Sequence, residues 1–519
     1  MRHWITALAP LALTLSIATA HAQNFTIGLS SDANSMDPHY HLITTNANIA
    51  EHVYETLIAK DERQRMKSGL AISWALIDAV TWEFKLRPGV KFHDGSPFTA
   101  EDVLFSLDRP ATVKNSPGPY TVYTKAIVEK SAPDPLTVRI KTAGPYPLLP
   151  NEVATIMIVS KKAAGTATTE DFNAGKVNIG TGPYKFISWK KGDRTELERF
   201  DGYWGTKPKW QKVTMRVLTT DAARVAALLA KSVDAIEAVP TADQQKLERN
   251  TAIAVHRSES NRLMYVHLDT DRDASPHVFD KQGKPLTKNP LKDLNVRRAI
   301  SKAISRIALR DRVMEGAAAP SGQLMPKGFF GYSPALKWED YDAEGAKALL
   351  VKAGYPDGFN LTLHGPNDRY VNDDQVMQAI AQMLARVGIA VKVEAMPSSV
   401  YFGRANKLEF SFMLVGWSAD TGEASSPLKA LLATYDRDKG LGTANRGRYS
   451  NPQMDTTLQV ALATTDDLKR ERLLQDATKL AMDDLGLIPL YHNVNVWATR
   501  AGTTYTPRTD ERTYAFGFK

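Results

Sequence analysis

The chain contains no cysteine among its 519 residues. An exported protein of this composition therefore has no disulfide bonds, even in a compartment that would allow them. The same absence excludes a bacterial lipid anchor, because that anchor is built on a cysteine at the cleavage site. Stability must come from burial of apolar side chains, and the 43% hydrophobic content is ordinary for a globular protein.

The common enzyme motifs are also missing. Residues 416–420 begin like a nucleophile elbow but lack its second glycine, and there is no H-E-x-x-H and no Walker A loop. Gly440, Gly442 and Gly447 do not have dinucleotide-binding spacing. We expect no catalysis and no cofactor. An exported hydrolase that uses scattered carboxylates remains the alternative from a different functional class.

The charge is positive but dispersed. The formal net charge is +8 and the pI is near 9.2. The densest basic runs are pairs such as Lys190-Lys191 and Arg297-Arg298, with acids between them. A nucleic-acid partner is not expected, because such proteins concentrate their basic residues on one face.

The first residues are typical of a secretory signal peptide. Arg2 precedes an apolar stretch from Ile5 to Ala18, and Ala20-His21-Ala22 is an A-x-A cleavage site. We expect cleavage after Ala22. No later segment is apolar enough to span a bilayer. Export without a lipid anchor predicts a free periplasmic protein.

Helical and extended patterns alternate along the chain, which predicts an α/β fold. Predicted helices cover 44–58, 99–107, 221–231, 296–307 and 376–387, and predicted strands include 25–29, 81–86, 361–364, 389–393 and 408–415. Two extended segments, 263–269 and 489–498, are interpreted as crossings between two lobes. The prediction is a hinged clamshell. Lobe I comprises 23–268 and 492–519, with a subdomain within about 60–190, and lobe II comprises 269–491.

The segment Gly416-Trp417-Ser418-Ala419-Asp420 follows a strand-like apolar run. It puts an aromatic side chain and a carboxylate at a strand's carboxyl end, where open α/β sheets bind their ligands. The alternative is a strand-terminal turn whose aspartate is simply solvated.

Several short motifs occur in an order that resembles the family-5 extracellular solute-binding proteins, the peptide/nickel group that serves ABC importers. They are Met36-Asp37-Pro38, residues 53–57, 86–95, 98–103, 180–184, 203–205, 295–300, 353–356 and 449–452. The resemblance covers essentially the whole chain after Ala22. It implies a two-lobed periplasmic receptor, a monomer, that passes its ligand to a membrane permease with separate ATPase subunits.

The resemblance also implies ligand contacts. Asp420 matches the acid that holds a peptide's amino terminus in dipeptide- and oligopeptide-binding relatives, with Trp417 as a flat wall beside it. Glu423 matches a second acid, although Ala424 stands where relatives usually have proline. Arg369 lies in the region from which similar proteins grip the ligand's carboxylate. A surface arginine paired with a neighbouring aspartate is the alternative.

Weaker candidates complete the predicted site. Asn445 and Arg446 lie in a cationic loop that resembles one facing the cleft, where Arg446 either binds an anion or braces the Asp420 loop. Tyr120 is predicted to close over the ligand. A short peptide or similar zwitterion fits best; a nickel or iron chelate, an opine-like conjugate and an oligosaccharide are the alternatives. His39 and His41 are the histidines that metal binding would use, but we assign no metal ligand.

Overall fold

The computed structural model describes residues 24–519, so the predicted signal peptide lies outside the described residues. The strands in chain order are β1 (Asn24–Leu29), β2 (Glu55–Thr56), β3 (Ile58–Lys60), β4 (Met66–Ser68), β5 (Ala71–Leu76), β6 (Thr81–Leu86), β7 (Ile127–Asp134), β8 (Thr137–Thr142), β9 (Met157–Ile158), β10 (Tyr184–Lys190), β11 (Arg194–Arg199), β12 (Lys212–Val217), β13 (Ala235–Ile236), β14 (Ile253–Leu268), β15 (Val278–Phe279), β16 (Ala318–Pro320), β17 (Asn360–Pro366), β18 (Ala390–Met396), β19 (Phe412–Ser418) and β20 (Ile488–Arg500).

The helices between these strands are α1 (Thr44–Val53), α2 (Ala100–Asp108), α3 (Leu149–Val153), α4 (Lys161–Ala164), α5 (Thr169–Asn173), α6 (Asp221–Leu229), α7 (Thr241–Glu248), α8 (Leu294–Ala303), α9 (Arg306–Ala308), α10 (Ala343–Lys352), α11 (Asp373–Ala385), α12 (Ser398–Asn406), α13 (Ser425–Pro427), α14 (Pro452–Ala463) and α15 (Asp467–Asp483). The predicted mixed α/β class is confirmed.

One mixed sheet runs through both halves of the molecule. Its strands lie in the order β10-β11-β12-β1-β13-β20-β14-β19-β17-β15, with β18 beside β17 and β16 beside β20. The long antiparallel strands β14 and β20 cross from one half to the other. β14 pairs with β19 from Arg262 onward, whereas β20 pairs with β13 at its far end. These two strands are the physical connection between two lobes.

The β14–β20 ladder breaks midway between the lobes. Pairing stops after Glu259 and resumes at Leu263, so residues 260–262 are unpaired with β20. Such an interruption bends a strand and increases its local twist. Asn261 is fully buried there, and its backbone N–H donates to the carbonyl of Thr509 in the C-terminal tail. The tail therefore holds the crossing in place.

The predicted strand–helix–strand unit in lobe II is confirmed. β17 and β18 are parallel and in register, and α11 packs against both. The helix buries Val376, Ile380 and Leu384, as its apolar periodicity predicts. Gly388 has φ of 94°, a left-handed conformation that ends the helix and that glycine adopts without strain.

A smaller sheet belongs to lobe I. Its order is β5-β6-β8-β7, and Phe84, Val138 and Ile140 form its buried face. Helix α2 covers it and starts with the predicted capping box: the backbone N–H of Thr99 donates to Asp102 Oδ2 at 2.9 Å. A cap of this kind contributes about 1 kcal/mol.

Three predicted boundaries are wrong. The helix expected over 296–307 ends at Ala303, because Ile304 is extended and the separate short helix α9 follows. The helix expected over 44–58 ends at Val53, because Tyr54 is extended and the chain then pairs as β2 with β9. The strand expected from Leu408 begins only at Phe412. Leu408 has φ of 60°, which no strand residue adopts, and ends the turn after α12. In each case the surrounding structure overrides the local sequence pattern.

Candidate ligand-binding site

Asp420 and Arg369 emerge at the same edge of the sheet. β17 and β19 are parallel neighbours, and the two residues follow their carboxyl ends. The adjoining Tyr370 donates its hydroxyl to the carbonyl of Gly416 at 3.2 Å. A β-carbon on Gly416 would lie 2.7 Å from the Tyr370 ring, so this close contact requires glycine. The edge has the geometry of a ligand site in an open α/β sheet.

Local hydrogen bonds hold the Asp420 carboxylate. Ser418 Oγ donates to Asp420 Oδ1 at 2.7 Å and lies 2.8 Å from the amide oxygen of the buried Asn261. Asp420 itself is half-buried. Among residues 24–519, no lysine, arginine or histidine forms an ion pair with its carboxylate. A half-buried carboxylate without a cation is suited to accept hydrogen bonds from an ammonium group.

Trp417 supplies aromatic surface next to Asp420, whereas Tyr120 is buried inside lobe I. Trp417 is half-buried at the end of β19, with its indole N–H 3.4 Å from Ser426 Oγ. Tyr120 belongs to a short 3₁₀ turn of lobe I that also contains Tyr123. Burial raises the pKa of both phenols, and the negative charge of Asp420 raises each further. Tyr120 is only 3% exposed and packs in the apolar core of lobe I, so the prediction that it closes over the ligand is not supported by this geometry.

Arg369 is exposed, and its side chain approaches only the Tyr370 ring, at 5.3 Å from the centroid. Within residues 24–519 its guanidinium has no carboxylate at ion-pair distance. Asp373 accepts from the backbone N–H of Arg369 rather than from its side chain. The β17–β19 pairing puts the exposed Arg369 at the sheet edge that carries Asp420.

Lobe I meets the 420–423 loop through backbone contacts. Lys60 Nζ donates to the carbonyl oxygen of Asp420 at 2.6 Å, and Asn151 Nδ2 donates to that of Thr421 at 2.9 Å. Gly422 has φ of 80°, and a β-carbon there would lie 3.0 Å from the carbonyl oxygen of Gln64. The lobes therefore touch at this loop, and glycine permits the close approach.

The C-terminal tail contributes charged side chains to the cleft. Arg262 in the β14 crossing binds Glu511 through two hydrogen bonds of 2.7 Å, and Arg512 pairs with Glu51 of α1. Burial opposes ionisation of Glu511, but Arg262 and its hydrogen bonds outweigh that effect, so the pKa of Glu511 is lowered. These pairs join the crossing and the tail to lobe I.

Glu423 does not face the cleft as an open carboxylate. It is 2% exposed, and Arg470 Nη1 lies 2.8 and 3.0 Å from its two carboxylate oxygens. Ser425 Oγ also donates to it. Its oxygens are bound by protein groups, including Asn151 Nδ2 of lobe I at 3.5 Å, and they fix the loop that carries Asp420. The predicted ligand contact of Glu423 is not supported by this geometry.

Asn445 and Arg446 lie at the opposite end of the sheet. Their loop contacts Leu268 and Thr270, at the end of β14 that pairs with Phe412 rather than Ser418. Six residues of strand separate the two ends, or about 20 Å. The Asn445 amide is bound by the carbonyls of Ala433 and Tyr449, and Arg446 Nε donates to Asn406. Neither the ligand-binding role nor the bracing of the Asp420 loop fits this position.

His39 and His41 do not form a common site. His39 is fully buried, with Nε2 2.8 Å from the carbonyl of Met157. Its pKa is lowered to about 4 by burial and by neighbouring Arg109. His41 Nδ1 lies 2.6 Å from Asn34 Nδ2. No cluster of three histidine, cysteine, aspartate or glutamate side chains suited to a metal occurs in the described part of the chain.

Two residues of this site were missed from the sequence. The sequence pattern predicts a helix up to residue 58, whereas strand β3 carries Lys60 to the Asp420 loop. Arg512 lies in the polar C-terminal tail, which has no periodic pattern to place it. The charged run Asp510-Glu511-Arg512 was the available signal.

A two-lobed α/β protein with charged groups at the carboxyl ends of its strands, facing a second lobe, is a solute receptor by architecture. The chain belongs to the bacterial extracellular solute-binding proteins, family 5, whose model for the middle region matches residues 65–439. It is 31% identical over 487 residues to the glutathione-binding protein GsiB of Pectobacterium atrosepticum, covering 92% of this chain and 90% of that protein. GsiB of Escherichia coli K12 is 31% identical over 494 residues, with the same coverage.

Solved structures show the same fold. The periplasmic binding protein DppA of Helicobacter pylori, in complex with the peptide STSA, has a TM-score of 0.76 at 25% identity, over 95% of this chain and 97% of that chain. CtaP of Listeria monocytogenes has a TM-score of 0.81 at 22% identity, over 95% and 98%. The clamshell expected from the sequence motifs is confirmed. No helix in residues 24–519 combines the length and apolar character needed to cross a bilayer.

Proposed function

We propose that this protein is the periplasmic receptor of an ABC importer for short anionic peptides. The observation that carries the proposal is the shared sheet edge of Asp420 and Arg369, one offering a carboxylate and the other a guanidinium. The ligand's ammonium binds Asp420 and a distant carboxylate binds Arg369. Charge-assisted hydrogen bonds of this kind are stronger than neutral ones.

The charges around the cleft favour a ligand with net charge −1. Most of them are already neutralised by pairing: Arg262 with Glu511, Arg508 with Asp510, and Arg512 with Glu51. Within residues 24–519, the Asp420 carboxylate, the Lys60 ammonium and the Arg369 guanidinium have no ion-pair partner. One ammonium and two carboxylates on the ligand would match these three groups. Glutathione has this composition, and the GsiB relatives are named for binding it.

Ligand binding would close the lobes about the β14 and β20 crossings. We propose the first crossing at 260–262, several residues before the sequence-based boundary at 268, because pairing breaks there. The second crossing is proposed between residues 491 and 492, where the sequence predicts it. Residues 60–190 form the lobe I subdomain. Closure would bury the peptide and increase the population of the form that the permease recognises.

The remaining partners follow from this role. A separate permease transports the ligand, and its ATPase subunits supply the energy. The chain is proposed to be cleaved after Ala22 and to act as a monomer, without a cofactor or a lipid anchor. Nucleic acid is not a partner. No catalysis is proposed: an exported hydrolase would consume the peptide, whereas a receptor returns it intact.

Isothermal titration with a panel of tripeptides, including S-methylglutathione, tests the proposal. We expect binding of anionic peptides, weakened about tenfold to a hundredfold in Asp420→Asn, as expected for loss of a hydrogen bond to a charged group. Arg446→Ala, at the opposite end of the sheet, is the matched control and should bind normally. Binding of a nickel chelate, an opine-like conjugate or a neutral sugar that is unaffected by Asp420→Asn would reject the peptide assignment.

A further inference from the structure

The ammonium group of Lys60 lies beside Asp420 and forms no ion pair within residues 24–519. Strand β3 ends at Lys60, and the ammonium donates one hydrogen bond, to the main-chain oxygen of Asp420 at 2.6 Å. An ammonium group has three donors. Across residues 24–519, no carboxylate lies within ion-pair distance of Lys60, and the side chain is only half-buried. Its remaining donors are available to a ligand that sits next to Asp420.

The neighbouring Arg512 is already paired. One of its terminal nitrogens donates to Glu51 of α1, so its charge is compensated within the protein. Burial, followed by repulsion from Arg512, lowers the pKa of Lys60 to about 8, whereas Asp420, Glu51 and Asp510 act in the opposite direction. A ligand carboxylate beside Lys60 would also favour its charged form.

The site thus places an acceptor for an ammonium group, the Asp420 carboxylate, beside a donor for a carboxylate, the Lys60 ammonium. We infer that Asp420 and Lys60 bind a free amino-acid head, with an α-ammonium and an α-carboxylate on one carbon, as at the end of a γ-linked glutamyl peptide. This inference rests on the proposed function and specifies the linkage of the ligand. Arg369 then takes the far carboxylate.

The peptide linkage determines which carbonyl group shares the α-carbon with the ammonium. In an α-linked peptide the carbonyl on that carbon belongs to a neutral amide, which cannot neutralise Lys60. The side-chain carboxylate of an α-linked glutamate is two methylene groups further away. In a γ-linked glutamyl peptide the α-carboxylate stays free and adjacent to the ammonium. The subsite therefore distinguishes two peptides of identical composition and charge.

The test compares S-methylated γ-Glu-Cys-Gly with its α-linked isomer by isothermal titration. We expect the γ-linked isomer to bind about tenfold tighter or more, the effect of one hydrogen bond between charged groups. In Lys60→Met the ratio of the affinities for the γ-linked and the α-linked isomer should fall towards one. Lys60→Arg keeps the positive charge and should retain part of the preference.

Asn151→Ala is the matched control. Asn151 holds the next carbonyl of the same loop, that of Thr421, but contributes no charge. It should weaken both isomers equally and leave their ratio unchanged. Thermal unfolding of each variant excludes loss of the fold as the cause of any change.

The outcomes separate the two claims. Equal binding of both isomers, or a γ preference that survives in Lys60→Met, overturns the inference but leaves peptide binding at Asp420 intact. If no peptide of either linkage binds the folded protein, the proposed function fails and the inference fails with it.

Discussion

Removal of Arg470 should destabilise lobe II strongly. Its partner Glu423 is 2% exposed, and Arg470 itself stacks on the Phe330 ring at 4.4 Å from the centroid. Arg470→Met leaves Glu423 buried and without its cation. Breaking a buried pair on one side costs about 3–5 kcal/mol. For a lobe of this size the midpoint of thermal unfolding should fall by roughly 6–20 °C, at about 2–4 °C per kcal/mol.

The double variant Glu423→Gln/Arg470→Met is the informative companion. With both charges removed, most of the penalty should disappear, because an uncharged replacement needs no compensating ion. Differential scanning calorimetry of the wild type, both single variants and the double variant measures the coupling between the two residues. We expect the double variant to unfold well above Arg470→Met.

Peptide affinity provides the second measurement on the same variants. If Glu423 only braces the Asp420 loop, affinity should follow loop stability and recover in the double variant. If Glu423→Gln abolishes binding at full thermal stability, and the double variant does not recover it, Glu423 contacts the ligand. That result would refute the structural role assigned here.

Three further predictions concern other parts of the molecule. Affinity for an anionic peptide should fall as pH rises above about 8, because a bound carboxylate raises the pKa of Lys60 and binding is lost as the free protein deprotonates. Burial and then Arg512 lower the pKa of Lys60, whereas Asp420, Glu51 and Asp510 oppose the shift, and Lys60→Met should lack this component in titrations across pH 7–10. Arg369→Ala should weaken peptide binding about tenfold or more in the same titrations without lowering the unfolding temperature, since its side chain is exposed; an unchanged affinity would remove Arg369 from the site. Thr99→Ala should reduce the free energy of unfolding by about 1 kcal/mol through loss of the α2 cap, with unaltered affinity; denaturant unfolding would contradict this if stability did not change.

The sequence could predict elements whose signals are local. The apolar periodicity at 376–387, the glycine after it and the flanking strands specify one strand–helix–strand unit, and the structure contains it. The Thr99 capping box is equally local. Asp420 could be placed at a strand's carboxyl end because an apolar run and a glycine precede it.

Contacts between distant segments could not be predicted in this way. Lys60 reaches Asp420 across 360 positions of sequence, and Arg262 meets Glu511 across 249. The prediction that Arg446 faces the cleft fails for the same reason. Only the β14–β19 register shows that its loop lies at the far end of the sheet. Charged loops look alike in sequence, and only tertiary pairing decides which edge each one occupies.

Native mass spectrometry of the protein purified gently from periplasm tests the central claim most directly. A ligand of about micromolar affinity or tighter should remain bound through gentle handling. We expect a released mass of a short anionic peptide, present in the wild-type protein and in Arg446→Ala and lost in Asp420→Asn. A sugar or a metal chelate retained by Asp420→Asn would contradict the account.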